Sequence, residues 1–291
     1  MSRYRYNIVM FAYNEEENIA NSISSVYENS DEGLNYFYLL ANGCSDNTVS
    51  KANEIKASLQ FENMNVVEIE LGDKCNAWNK YVHELADNAD VHFFIDADVQ
   101  FSEHCFSKMT SALVAALDST MVIAGLPLSG RNVDFYRSLV LERSCFFGNL
   151  YGMKRAFVSR IREKPFRLPI GLNWIDSFLT KAVNTDLNFT QHNLPNRTTW
   201  IEGVGYNFDK LSLFKRSDIQ LYINRIARYE LGKIQEHFLD EIPCENWPEN
   251  MNGINQKIFD NFETLTGHLG YLKKRLVKKR LIKLLKKSKS M

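Results

Sequence analysis

The sequence predicts an α/β domain built on a mainly parallel sheet. Three observations predict it. Short apolar runs rich in strand formers recur along the first hundred residues. Each of the early runs is followed by a polar cluster and then by a stretch with helical periodicity. The strands and helices alternate instead of segregating, which is the pattern of a parallel sheet covered by helices.

The first apolar run is Tyr6 to Ala12, ending in the polar cluster Tyr13 to Asn18. A helical pattern follows, with Ile19, Ile23 and Val26 on one face. Tyr36 to Leu40 is a second strand, Asn42 to Asp46 a loop, and Asp46 to Leu59 a helix. Val66 to Leu71 and Ala77 to Ala86 repeat the unit, and Val91 to Ile95 is a fourth strand ended by Asp96-Ala97-Asp98. Met121 to Leu128 and Leu150 to Lys154 read as later strands. Ile175 to Val183 reads as a helix, as does most of Leu211 to Leu239. Asp240 to Gly253, with Pro243, Pro248 and Gly253, reads as a linker. In such sheets ligands sit at the carboxyl ends of the strands, so the clusters after strands one, two and four are where chemistry is expected.

Hydrophobic and charged fractions of 45% and 24% are those of a globular protein with a sizeable core. Cys44, Cys75, Cys105, Cys145 and Cys244 are odd in number and form no C-x-x-C pair, which excludes a disulfide framework or a structural zinc site. The six histidines show no ligand spacing. Met1 to Tyr6 lacks the apolar run of a signal peptide, and no window reaches the ~18 apolar residues of a membrane span.

Two carboxylates at i and i+2 beyond an apolar strand, here Asp96 and Asp98, can reach one hard cation; Mg2+ and Mn2+ suit oxygen ligands and bridge diphosphate oxygens. The same pair also serves as a turn or a helix cap in other proteins. Its context narrows the choice. FAYNEEE from Phe11 to Glu17, NGCSDNT from Asn42 to Thr48, KCNAWN from Lys74 to Asn79 and FIDAD from Phe94 to Asp98 follow in order. This series resembles the nucleotide-binding half of family 2 glycosyltransferases of the GT-A fold, strongly over the first hundred residues and more loosely to about residue 240. The resemblance implies an α/β GT-A nucleotide-diphospho-sugar transferase fold and an inverting, metal-dependent transfer to an acceptor hydroxyl. Ala12, Tyr13 and Glu15 would line the nucleoside pocket, with Asn42 near the base where many relatives carry Asp. Lys74 would lie near the nucleotide. Asp96 would meet the ribose or the metal, and Asp98 would be the main metal ligand. Asp46 is expected to cap the helix that follows it.

Further on, GNLYGMKR from Gly148 to Arg155 resembles an acceptor-side segment of the family and points to Tyr151. WIDSFL from Trp174 to Leu179 resembles the segment carrying the family's base, which makes Asp176 the candidate and places Trp174 beside the acceptor. An Asp there is also a good N-cap. Arg225 and Arg228, in RIARY, stand where relatives carry arginines near acceptor and diphosphate, and two exposed helical arginines would look the same.

From Tyr271 to Met291 there are ten Lys or Arg and no Asp or Glu, so a neutral chain carries a basic tail on a body of net −10. Leu272, Leu276, Leu281, Ile282 and Leu285 interleave with those charges. A helix of that kind suits an anionic membrane interface, and with one aromatic and no recognisable module the tail does not suit nucleic acid. The expected organisation is a 1–240 transferase domain (1–100 nucleotide half, 101–240 acceptor half) and a 241–291 linker plus basic helix. The expected protein is cytoplasmic and peripheral on the cytoplasmic membrane face. It would take a sugar, with UDP as the preferred nucleotide, to a lipid-linked or envelope glycan without processive synthesis. Two other readings stay open: a sugar-phosphate nucleotidyltransferase, against which the acidic, glycine-free Tyr13 to Asn18 loop counts, and a non-catalytic sugar-nucleotide-binding protein.

Overall fold

The computed structural model describes residues 4–130, 132–164, 166–208 and 216–288. The chain forms two compact units, one of Met1–Lys164 and Thr180–Lys210, the other of Pro165–Leu179 and Leu211–Met291.

In chain order the first unit carries β1 (Tyr6–Ala12), α1 (Ile19–Asn29), β2 (Leu34–Asn42), α2 (Thr48–Ser58), β3 (Met64–Ile69), α3 (Lys74–Lys80), β4 (Val91–Asp96), β5 (Val99–Phe101), α4 (Cys105–Ala115), β6 (Val122–Ser129), α5 (Val133–Arg143), β7 (Leu150–Lys154) and α6 (Arg155–Glu163). α7 (Ile175–Asn184) begins in the second unit and ends in the first, and β8 (Thr198–Phe208) completes the sheet. Among the described residues the eight-stranded order is β3-β2-β1-β4-β7-β6-β8-β5. The β3-β2-β1-β4 half is parallel throughout, as the alternation of elements predicts. β7 runs antiparallel to both β4 and β6, and β5 antiparallel to β8.

Every residue of β1 is buried, because both faces of this central strand are covered. The two faces of β4 show how the core is filled. Phe93 packs edge-on against Tyr6 and Phe106 on one side. Phe94 stacks on Tyr151 at 4.8 Å and on Trp78 at 6.1 Å on the other. Successive strand residues point to opposite faces, so one Phe-Phe pair serves both layers. α3 starts at Asp73, whose carboxylate accepts the Cys75 and Asn76 N–H groups at 2.9 and 3.1 Å, and it continues into one π-turn, Tyr81–Leu85. The sequence places this helix at Ala77 to Ala86; the Asp73 cap starts it earlier.

The second unit contains α8 (Arg216–Asp240), α9 (Asn252–Asp260), α10 (Phe262–Leu265) and α11 (Tyr271–Ser288). Residues 211–215 of the expected helix and 289–291 of the basic tail lie outside the described residues. The stretch read as a linker is tied down. Trp247 packs on Phe166 and Phe178, its indole N–H donates to the Leu239 and Ile242 carbonyls, and Asn250 bridges to Ile170. α11 packs on α8 and α9, burying Val277 and Leu281 completely. The apolar stripe seen in the sequence is therefore partly spent on the fold. Two exposed basic residues make contacts with the fold as well: Lys273 pairs with the buried Glu230 at 2.5 Å, and Lys278 lies over the Phe262 ring. Among the described residues no helix is long and apolar enough to cross a membrane.

Candidate functional site

The carboxyl ends of β2, β1 and β4 lie side by side, so Asn42, Ala12 and Asp96 come together at one edge of the parallel half-sheet. Asp96 is in register with Phe11. The turn after it presents Asp98 to solvent while Ala97 is buried, and the Ala97 carbonyl accepts the Ser22 hydroxyl at 2.8 Å. That bond fixes the backbone between the two carboxylates.

Lys74, at the start of α3, reaches Asp96 Oδ1 with its Nζ at 2.5 Å and lies 5.6 Å from the centre of the Phe11 ring. Both members of the pair are about a quarter exposed, so each is open to exchange partners. Asn42 is buried, and its Oδ1 accepts the Asp73 N–H at 2.9 Å. It thereby ties the end of β2 to the cap of α3. Gly43 follows with φ +70°, and a Cβ there would lie 2.5 Å from Gly72 Cα. Only glycine permits both the left-handed backbone and this approach. The Tyr13 ring edges against Gly72 and is otherwise largely exposed.

Glu15 sits among anions. Burial is the main reason its carboxyl is pushed up to about 7; Asn18 donates to it and works against the rise, while the charges of Asp98, Asp96 and Asp46 add to it. Asp46 behaves differently. Burial acts upward, but the Thr48 hydroxyl and N–H and the Glu16 N–H all donate to it and hold it below the usual carboxylate range. It joins the loop after β1 to the start of α2. Glu16 makes the reciprocal tie, accepting from the Asn47 backbone and side chain.

Four carboxylates thus face one another at the strand ends, with Lys74 as the ordered cation beside them. Among the described residues no three His, Cys, Asp or Glu side chains converge closely enough to hold a metal alone. The donor set still fits a hard divalent cation, because Mg2+ and Mn2+ are commonly held by one or two carboxylates, with ligand phosphates and water supplying the rest.

A family model described as Glycosyl transferase family 2 matches residues 7–169, more than half of the chain and the whole of this strand-end cluster. The chain belongs to glycosyl transferase family 2. Family membership selects the glycosyltransferase from the three readings the sequence leaves open. A solved structure agrees on the GT-A fold. A mannosyltransferase from Pyrobaculum calidifontis, in complex with GDP-Man and Mn2+, matches with a TM-score of 0.63 at 17% identity, covering 99% of this chain and 76% of that one. A glucosyl-3-phosphoglycerate synthase from Mycobacterium tuberculosis, in complex with Mn2+, UDP and phosphoglyceric acid, matches at 0.48 and 16% identity over 78% of each chain. No curated protein matches the sequence.

The remaining candidates are placed as follows. Tyr151, expected at the acceptor, is buried in β7; its ring stacks on Phe94 and its hydroxyl accepts the Trp78 indole N–H at 3.1 Å. That is a core position supporting α3. In the second unit Asp176 is half-buried in the first turn of α7. Trp174 meets Tyr229 edge-on at 4.5 Å, and Gly232 makes room for it, since a Cβ there would fall 2.4 Å from Trp174 Cβ. Arg225 and Arg228 are exposed on the same helix, α8. Sequence reasoning missed Asp73 and Glu16. Asp73 was recoverable: an Asp directly before a helical pattern is an N-cap signal.

Proposed function

We propose that this glycosyltransferase moves a single sugar from a nucleoside-diphosphate sugar, with UDP as the first nucleotide to test, onto an acceptor hydroxyl with inversion. The observation that carries the reading is the carboxylate cluster of Glu15, Asp46, Asp96 and Asp98 beyond the ends of β1, β2 and β4, with Lys74 paired to Asp96. Asp98, exposed beyond the β4 end, and Asp96 are the residues that would hold Mg2+ or Mn2+. When bound, that cation neutralises charge growing on the departing nucleoside diphosphate. The Pyrobaculum mannosyltransferase, solved with a nucleotide sugar and Mn2+, supports pairing the two in this fold.

Ala12, Tyr13 and Glu15 form the nucleoside rim, and the largely exposed Tyr13 ring offers a face for the base to stack on. Asn42 shapes the rim through Asp73. Lys74 supplies positive charge once an anionic ligand competes with Asp96 for it. Asp176 takes the proton from the attacking acceptor hydroxyl. Arg225 and Arg228 offer planar forks suited to acceptor phosphate or diphosphate oxygens.

The acceptor we favour is a lipid-linked or envelope glycan, met at an anionic membrane surface from the cytoplasmic side. Support comes from the outward side of α11, where Arg275, Lys279, Lys283 and Lys286 are exposed and Tyr271 and Leu272 project at the helix start. The test is a panel of nucleotide sugars with and without Mn2+, followed by thermal shift and by release of free nucleoside diphosphate. A ligand that binds the folded state raises the melting temperature. Release of pyrophosphate, or no metal-dependent shift with any sugar nucleotide, overturns the reading.

A further inference from the structure

We propose that Arg280, on the basic helix α11, is a positioning residue for the candidate base, acting through a buried amide network that fixes the loop presenting Asp176. The inference rests on the reading of Asp176 as the base.

The network lies wholly within the second unit. Arg280 Nε donates to Asn173 Oδ1 at 2.5 Å, across 107 residues of sequence. Asn173 is buried; its backbone N–H and its Nδ2 both donate to Gln235 Oε1, at 2.9 and 3.0 Å. Asn173 Nδ2 also donates to the Gly171 carbonyl at 3.0 Å. Gln235, with no exposed surface, donates from Nε2 to the Gly171 carbonyl at 3.3 Å and to Asn255 Oδ1 at 2.8 Å. Residues from α8, α9 and α11 thus converge on the loop before α7.

A primary amide can sit either way round, with oxygen and nitrogen exchanged. A guanidinium only donates, so Arg280 holds the Asn173 oxygen outward, the orientation that the Gly171 carbonyl, which only accepts, also selects through the Asn173 nitrogen. The Asn173 N–H and the Gly171 carbonyl fix Gln235 in the same sense, oxygen toward Asn173 and nitrogen toward Gly171 and Asn255, so Arg280 closes a network whose polarity is already consistent. The loop is clamped on its other side too: Ile170 N–H donates to the Glu249 carbonyl, and Met251 N–H to the Ile170 carbonyl. Gly171 sits at φ +89°, and Trp174 is pinned in the space left by Gly232. Asp176 follows two residues later. Apolar packing of α11 through Val277 and Leu281 would hold the helices together without choosing one loop geometry; a satisfied polar network chooses one.

The test is a mutant cycle. Arg280→Met keeps the stem and removes the donor. Turnover is read as nucleoside-diphosphate release from the donor selected by the panel above, with water as acceptor. Arg280→Met is expected to lower turnover roughly 10- to 100-fold, the scale of a small misplacement of a reacting group. Donor affinity measured by calorimetry stays unchanged, and Arg280→Lys, which restores a donor, recovers part of the loss. In an Asp176→Asn background Arg280→Met costs nothing further, because residues acting as a unit are not additive. Gln235→Met cuts the network from the other side and serves if Arg280→Met does not fold. Additive losses, or an Arg280→Met enzyme with full turnover, overturn the proposal while leaving the base reading intact. An Asp176→Asn enzyme with near wild-type turnover overturns the base reading and the proposal with it.

Discussion

Lowering the pH from roughly 7.5 to 5 should destabilise the folded sheet through one buried imidazole, and the size follows from its surroundings. His92 lies inside β4, 1% exposed, with Nδ1 2.9 Å from the Tyr81 hydroxyl and, among the described residues, no hydrogen-bond partner for Nε2. Burial, with the nearby charges of Arg162 and Arg155, pushes it down from 6.5 to about 3. In the unfolded chain it titrates near its ordinary value. The stability held by the neutral folded imidazole is therefore complete above about pH 6.5 and drains away as pH falls toward 3. At pH 5 the unfolded form gains about 2 kcal/mol from protonation that the folded form cannot match. Glu15 works the other way, because its raised folded value favours folding as pH drops. A comparison with His92→Gln cancels that contribution and every other one the two proteins share. Urea unfolding of both at the two pH values should show their stability difference changing by about 2 kcal/mol, equivalent to a melting shift of roughly 4–8 °C for a domain of this size. Parallel pH profiles would mean that His92 is protonated inside the fold, and the burial argument would fail.

Other perturbations reach the site directly. Asp98→Asn should abolish metal-dependent donor binding and transfer while leaving circular dichroism unchanged; full activity in excess chelator would remove the assigned metal role. Asp176→Asn should keep donor affinity and lower turnover by roughly 10²–10⁴-fold, with the helix start preserved because Asn also caps. Gly43→Ala should cost more than the ~1–2 kcal/mol of a left-handed residue, since its Cβ also meets the Gly72 backbone; a melting temperature equal to wild type would show that the two loops yield freely. Reversing Lys279, Lys283 and Lys286 to Glu should release the protein from anionic vesicles without unfolding it, checked by co-sedimentation and by melting. Deleting α11 is the less informative version, because it also uncovers Glu230 and removes Val277 and Leu281 from the core.

The parallel half of the sheet was legible because its strands are apolar on both faces and end in polar clusters. β5 and β8 were not. β5 has three residues, too few to show a period, and β8 reads TTWIEGVGYNF, where two glycines and a half-exposed pattern hide the alternation. α4 was missed for a related reason: the residue before it, His104, is not an N-cap type, so the usual start signal is absent. Asp96, Asp98, Lys74 and Glu15 were singled out by their order along the chain, and the structure brings them near one another at the strand ends. Tyr151 shows the limit of reasoning by position. Its segment follows the motif, but a strand residue alternates between faces, and this one turns into the aromatic core.

The bond between Arg280 and Asn173 also has a consequence in time. On the ribosome the loop before Asp176 is made 107 residues ahead of the guanidinium that closes its amide network. The parallel strands that carry Asp96 and Asp98 need nothing from so late in the chain. A chain halted between α8 and α11 would hold every strand of the sheet and a loop that still lacks its Arg280 contact. On the proposed reading, the loop that presents Asp176 is set last, after the strand that ends in Asp96.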